Sequence, residues 1–303
     1  MKIATYNVNG IRSRLPNLLE WLEREEPDIA CLQELKAVDQ GFPIGAINDA
    51  GYGALWAGQA SWNGVAILAK GVDPVESRRG LPGDAKDTQS RYLEAVAHGV
   101  LVGCIYLPNG NPWPGPKFDY KLAWFERFLR HAQALLDSGQ PVVLAGDYNV
   151  VPTDEDIYDP KHWRRDALLQ PESRDAYARL LAQGWTDALR ERHPGERIYT
   201  FWDYFRQHWP RDRGLRIDHL LLAPVLSSRL KDANVDRWVR DQPKASDHAP
   251  TWVELAEPAT AKKAPAKKIP AKKTPVKKTA AKKAAAKKAP ARKAARPGRR
   301  KDT

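Results

Sequence analysis

Pro141-Val-Val-Leu-Ala-Gly-Asp-Tyr-Asn149 places four apolar side chains in a row, then breaks to glycine, an acid and an amide. A short apolar run without polar alternation fits a strand covered on both faces. An aspartate at the mouth of such a strand is costly to desolvate, so its presence points to a task such as holding a metal or passing a proton. The pattern recurs along the chain. Lys2-Ile-Ala-Thr-Tyr6 stops at Asn7, Asp28-Ile-Ala-Cys-Leu-Gln33 stops at Glu34, and Val100 to Ile105 stops at Tyr106. Near residue 250 the order reverses, and Ser246-Asp247-His248 leads into Ala249-Pro-Thr-Trp-Val-Glu-Leu255.

Helical patterns lie between these runs. Leu15, Leu18, Leu19 and Leu22 mark one helix, closed before Pro27. Phe118, Leu122, Phe125, Leu129, Ala132 and Leu136 mark a longer one over about 117–137, with Gly139 as its stop. A third is expected over 173–183, ended by Gly184. Strands alternating with helices argue an α/β domain whose polar strand ends gather at one edge, where ligand crevices form.

The average charge of +12 conceals a split. Residues 258–303 hold 18 Lys and Arg against one acid, whereas residues 1–257 hold 31 against 36. The tail repeats Lys-Lys every five residues from Lys262 to Lys288 and lacks the bulk to offset its ordering entropy, so it is expected to be disordered. The expected division is a folded domain over 1–256 and a basic Lys/Ala/Pro-rich tail over 257–303. Cys31 and Cys104 both sit inside apolar runs and read as small core residues. No apolar leader follows Met1 and no stretch is apolar enough to span a membrane, so a cytoplasmic protein is expected.

Glu34 and Asp247 are hard oxygen donors and Asn7 adds an amide oxygen, a set suited to Mg²⁺ or Mn²⁺. Zinc is disfavoured, because no Cys or His cluster has ligand spacing. The other groups suit phosphodiester hydrolysis. Asp147 can take a proton from water, Asn149 and Tyr106 can hydrogen-bond phosphate oxygens, and His248 held by Asp218 can contact the scissile phosphate. Singly, each has a plainer reading: Asn7 and Asn149 as turn formers, Tyr106 as a half-buried aromatic, Asp218 as an ion-pair partner of Arg216. Alternation turns His219 away from Asp218.

Thr5-Tyr-Asn-Val-Asn-Gly-Ile-Arg12, Leu32-Gln-Glu-Leu-Lys36, Tyr106-Leu-Pro-Asn109, Gly146-Asp-Tyr-Asn149, Gly214-Leu-Arg-Ile-Asp218 and Ser246-Asp-His248 occur in that order. Together they resemble the exonuclease III family of abasic-site endonucleases, within the endonuclease/exonuclease/phosphatase superfamily. The resemblance implies a four-layered α/β sandwich of two mixed β-sheets flanked by helices. It also implies cleavage 5′ to abasic sites in duplex DNA, with 3′→5′ exonuclease and 3′-phosphatase activity, in base excision repair. Asn7, Glu34 and Asp247 carry over as metal ligands, with Asp147, Asn149 and His248 as further residues of the metal site. Tyr106, Asp147, Asn149, Asp218 and His248 carry over as catalytic groups, and Phe201, Leu215 and Ile217 as the lining of a pocket for the base-less sugar.

Arg12, Trp209 and Arg213 are candidate DNA contacts, with Trp209 read as a minor-groove wedge in the aromatic segment 202–213. The tail lysines, Lys262, Lys263, Lys267 and Lys268 first among them, read as a salt-sensitive phosphate tether. The partner expected is double-stranded DNA with abasic sites or blocked 3′ ends, bound by a nucleoid-associated bacterial monomer. The rival readings are a phosphatase or phosphodiesterase acting on RNA or another ester, and a non-catalytic nucleoid protein.

Overall fold

The computed structural model describes residues 1–257. The expected tail disorder and the four tail lysines lie outside the described residues. Twelve strands are present among those described: β1 (Lys2–Asn7), β2 (Ile29–Gln33), β3 (Tyr52–Ala57), β4 (Val65–Lys70), β5 (Val75–Arg79), β6 (Tyr92–Ala97), β7 (Val100–Tyr106), β8 (Val142–Asp147), β9 (Thr186–Asp187), β10 (Asp218–Leu222), β11 (Leu230–Val235) and β12 (Thr251–Leu255). They form two six-stranded sheets in the orders β11-β12-β1-β2-β4-β3 and β5-β6-β7-β8-β10-β9. Each sheet is mixed, with one parallel pair at its centre, β1 with β2 and β7 with β8.

Side-chain alternation sorts these strands into layers. Ile3, Ile29, Cys31 and Ile67 of one sheet share a buried cluster with Leu93, Val102, Cys104 and Val143 of the other, so the sheets pack face to face. The intervening residues Ala4, Tyr6, Ala30 and Leu32 turn outward onto α1 (Leu15–Glu25). In the second sheet Ile105, Val142 and Leu144 turn onto α2 (Pro116–Asp137) and α3 (Pro171–Ala182). Central strands are therefore covered on both faces, which is why they read as unbroken apolar runs. The four-layered sandwich expected from the resemblance is present, and both cysteines are buried core residues. No helix among the described residues is long and apolar enough to cross a membrane.

Proline and chain reversal set the helix limits. α1 carries a proline in its first turn and ends at Glu26 in the left-handed conformation, just before Pro27. α2 begins at Pro116 and α3 at Pro171, two residues before the expected Ser173. Gly146 answers a close approach, since a Cβ there would come within 1.9 Å of the Ile105 carbonyl on neighbouring β7.

Strand direction gathers the polar ends. β1 and β2 run parallel and finish at Asn7 and Gln33-Glu34, while β7 and β8 finish at Tyr106 and Asp147. β10 is antiparallel to β8 and begins with Asp218 directly opposite Asp147. β12 is antiparallel to β1, with Thr251 opposite Thr5, so the residues just before it lie beside the end of β1.

Candidate active site

Asp147 stands at the centre of this edge, 2% exposed. Its Oδ2 accepts from Asn7 Nδ2 at 3.0 Å, and its Oδ1 accepts from the Asn149 N–H at 2.9 Å. Burial dominates the carboxyl's environment and, with help from Asp218 and Glu34, lifts its pKa to about 7 against the opposing pull of His248. His248 Nδ1 lies 2.8 Å from Asp218 Oδ2, and its Nε2 lies 3.9 Å from Asp147 Oδ2. Burial alone would lower the imidazole pKa, but the Asp218 carboxylate outweighs it and raises it to about 10. The ring is therefore a cation at neutral pH, held by Asp218 and aimed past Asp147. Asp147, Asp218 and His248 offer ligand-type atoms all within 4.8 Å of one another.

Local contacts fix these groups. Thr200 Oγ1 accepts the backbone N–H groups of both Ile217 and Asp218 at 3.1 Å. Ser246 donates its hydroxyl to the Asn7 carbonyl at 2.7 Å and accepts the His248 N–H at 3.2 Å, joining the end of β1 to the approach of β12.

Glu34 forms the other half of the site. Its Oε1 accepts from Asn7 Nδ2 at 3.1 Å and from the Tyr106 hydroxyl at 2.7 Å, and its Oε2 faces Lys36 Nζ at 2.9 Å. Burial pushes the Glu34 pKa up, but Lys36, Asn7 and Tyr106 together hold it below the ordinary value. It is ionised at neutral pH. The Tyr106 hydroxyl is kept neutral, first by burial and then by the charges of Glu34 and Asp147, so it acts as a donor. Asn9 joins this half to Asp247, whose Oδ1 accepts from Asn9 Nδ2 at 2.9 Å. Asn9, Glu34, Lys36 and Asn149 all have φ between 45° and 52°. Left-handed backbone at non-glycine residues costs on the order of 1 kcal/mol each, and it clusters where chemistry fixes the geometry.

The donors suit a hard divalent cation: an ionised Glu34, a second carboxylate in Asp247 and amide groups, with both thiols buried elsewhere in the core. Asn7 differs from expectation in its orientation. Its NH₂ bridges the like charges of Glu34 and Asp147, and its Oδ1 accepts the Asn9 N–H. Asn149 also has its amide engaged by protein partners, whereas His248 commits only Nδ1. Asn149 Nδ2 donates to the Leu107 carbonyl at 2.9 Å and its Oδ1 accepts from Asn109 Nδ2 at 2.9 Å.

The remaining predicted residues are spread around this centre. Phe201 is half-buried with its ring 5.0 Å from that of His248. Leu215 and Ile217 are buried behind it with Val151, Ile157 and Leu168. Arg12 is exposed and donates to the Gly41 carbonyl. Arg213 lies over the Tyr158 ring. Trp209 is not the free ring of its segment. It packs edge-on against Trp202 at 4.9 Å, and its indole N–H donates to Asp241 at 2.9 Å. Phe205 is the projecting ring, 74% exposed. Arg216 does not pair with Asp218 either; it turns to Asp156 and Asp187. His219 turns away from Asp218, as alternation required.

Sequence reasoning assigned no role to Lys36, Asn9, Asn109, Arg91 or Trp62. The first three stood inside the quoted motifs, a signal that was present. Arg91 lies over the Tyr106 ring, and 68%-exposed Trp62 carries Lys36 on its face at 4.3 Å. Both line a cleft of about 600 Å³ shared with Glu34, Tyr106 and Asn109. A second cleft, of about 650 Å³, is lined by His162, Trp163 and Asp166 on one loop and Phe205, Arg206 and His208 on another.

Residues 4–248 match the Endonuclease/Exonuclease/phosphatase family. The chain is 34% identical to exodeoxyribonuclease III of Haemophilus influenzae, over 84% of its own length and 100% of that relative. An AP endonuclease from Archaeoglobus fulgidus superposes with a TM-score of 0.81 at 37% identity, over 84% of this chain and 99% of the other. A 3′ phosphatase from Neisseria bound to a product DNA hairpin superposes with a TM-score of 0.81 at 38% identity, over 85% and 100%.

Proposed function

The chain belongs to the endonuclease/exonuclease/phosphatase family, and from that premise we propose a divalent-metal-dependent DNA repair nuclease acting on abasic sites and blocked 3′ ends. The observation that carries the reading is the pairing of a poised Asp147 with a cationic His248 across from an ionised Glu34. A carboxyl whose pKa sits near 7 can take a proton from water at physiological pH. The water oxygen attacks phosphorus, its proton passes to Asp147, and the P–O3′ bond breaks 5′ to the lesion, the leaving O3′ taking up a proton from solvent to become a hydroxyl. His248 Nε2 and the second N–H of the Asn149 amide would meet the charge that develops on the phosphate oxygens, with Tyr106 as a further donor if its hydroxyl turns from Glu34. Asp218 keeps the imidazole charged and oriented. Glu34 and Asp247, with the remaining lone pair of Asn7 Oδ1, would hold Mg²⁺ or Mn²⁺, which would neutralise charge on the phosphate and the leaving oxygen.

Phe201, backed by Leu215 and Ile217, would line the sugar pocket, where a deoxyribose without its base fits and one bearing a base does not. Among the rings of segment 202–213, Phe205 replaces Trp209 as the residue to press into the duplex. The basic stretch beyond residue 257 would keep an acidic catalytic domain on DNA, in keeping with nucleoid association and with bacterial cytoplasm as its setting.

The decisive assay uses a duplex with one abasic analogue, incubated with Mg²⁺, with Mn²⁺ or with EDTA. A metal-dependent nick 5′ to the lesion is expected, and its absence would sink the proposal. Deleting residues 258–303 should flatten the salt dependence of DNA binding while leaving turnover at saturating substrate unchanged; equal salt slopes would remove the tether.

A further inference from the structure

Lys121 is a fully buried lysine on α2, at a position where periodicity calls for an apolar residue. It lies three residues after Phe118 and four before Phe125, both buried on the core-facing stripe of the same helix. An amine at such a place, charged or neutral, is retained only if its hydrogen bonds are made. They are made to two loops of the active site. Nζ donates to the Asn149 carbonyl at 2.5 Å and to the Asn109 carbonyl at 3.1 Å.

Those two residues are already joined through their side chains, Asn109 Nδ2 to Asn149 Oδ1 at 2.9 Å. Asn149 has φ 48°, a conformation that turns its carbonyl out of the strand direction. The slot for the lysine stem is cut by Gly110, at φ +90°, where a Cβ would come within 2.7 Å of Lys121 Cδ. The Asn149 N–H in turn holds Asp147 Oδ1. One buried amine thus fastens the loop after β7 to the loop after β8, although burial lowers its pKa to about 7, and the general base sits two residues from the clamp.

We infer that Lys121 is a positioning residue for phosphodiester hydrolysis, holding the Asn109–Asn149 pair and through it the orientation of Asp147. It touches no substrate. The inference rests on the nuclease reading above, and its role is to keep Asn149 and Asp147 within a few tenths of an ångström of the reacting geometry. A displacement on the order of 1 Å at a reacting group costs about a hundredfold in rate.

The test compares wild type, K121M, K121R and L129A on the abasic duplex, with Tm recorded for each. Leu129 is a buried core residue about two turns further along the same helix, and its truncation supplies a destabilised control. K121M is expected to lose kcat by ~30-fold or more with KM within ~3-fold, whereas K121R regains most of kcat and L129A keeps it despite its lower Tm. K121Q, with one amide donor in place of the ammonium, is read the same way should K121M not fold. The inference is overturned if the folded methionine or glutamine variant cuts within ~3-fold of wild type, if K121R is as slow as K121M, or if L129A slows equally. An inactive wild type would count against the nuclease reading and not against the clamp.

Discussion

Asp218 and His219 are neighbours on β10, yet they belong to two buried polar clusters that differ in kind. Asp218 faces the interior between the sheets, on the side of Leu220 and Leu222, and joins Asp147 and His248. His219 faces the helices, on the side of Leu221, and joins Arg216, Asp156, Asp187 and Tyr177. In the second cluster the polar atoms are matched. Arg216 donates to Asp156 at 2.7 Å and to Asp187 at 2.6 Å, and His219 reaches the Val150 carbonyl at 3.2 Å. Burial raises the Asp156 pKa, but Arg216 outweighs it and holds the carboxyl at about 2. In the first cluster Asp218 Oδ1 has no partner, and Asp147 sits at about 7. Burial is alike in the two places, so burial alone does not make a reactive group. A carboxylate paired with a guanidinium is structural, and one such as Asp147, held by two neutral N–H donors with the His248 ring 3.9 Å away, is available for proton transfer.

The sharpest way to break this contrast is to neutralise one member of each cluster. Asp147→Asn should lower kcat on abasic DNA by ~10³-fold or more while leaving the folded state at least as stable, because a costly buried charge is removed. Steady-state kinetics and thermal melts would expose a failure, which would be retained turnover or a large fall in Tm. Arg216→Met should behave oppositely. It leaves the buried Asp187 carboxylate without its guanidinium and Asp156 with Arg190 alone, at a cost of about 3–5 kcal/mol, while kcat of the folded protein stays within ~3-fold. Denaturant titration and turnover at a temperature where the variant is folded separate the two effects.

A finer test uses pH, with EDTA present. Burial raises the Asp147 pKa from its ordinary value of 3.8 to about 7, so its contribution to stability is full below pH 4 and is lost as pH rises through 7. Burial and Arg216 lower His219 from 6.5 to about 4, so its contribution is full above 6.5 and is lost as pH falls through 4. The two slopes oppose each other in the wild type. Stability of Asp147→Asn relative to wild type should therefore increase from pH 4 to 7, whereas His219→Gln should gain on wild type as pH falls from 6.5 to 4. Slopes of the same sign for both variants would dissolve the contrast.

The contrast also explains which parts of the molecule were legible in the chain. Asn7, Glu34, Tyr106 and Asp147 announce themselves because each ends an apolar run, and such runs persist only where both faces of a strand are covered. β5 offers no such signal. Val-Glu-Ser-Arg-Arg is exposed along its whole length, and the sheet it borders was expected from the resemblance alone. Lys36, Asn9 and Lys121 owe their roles to partners far along the chain, and Lys121 reads as an ordinary helix lysine until α2 is packed. Arg216 was ambiguous for the same reason. Its spacing to Asp218 permits an ion pair, but Asp156 and Asp187, 60 and 29 residues away, claim it. In segment 202–213 composition revealed a dense aromatic loop, but only packing tells Trp209, pinned by Asp241, from Phe205 in solvent.

β1 lies between β2 and β12, in register from Lys2 opposite Glu254 to Thr5 opposite Thr251. During synthesis β1 must therefore wait, one edge open, until β12 has been made. Asp247 and His248 arrive with that closing strand. A chain that ends before β12 holds Glu34, Asp147 and Asp218 but lacks His248, so on the proposed mechanism the capacity to cut DNA is withheld until that closing strand is in place.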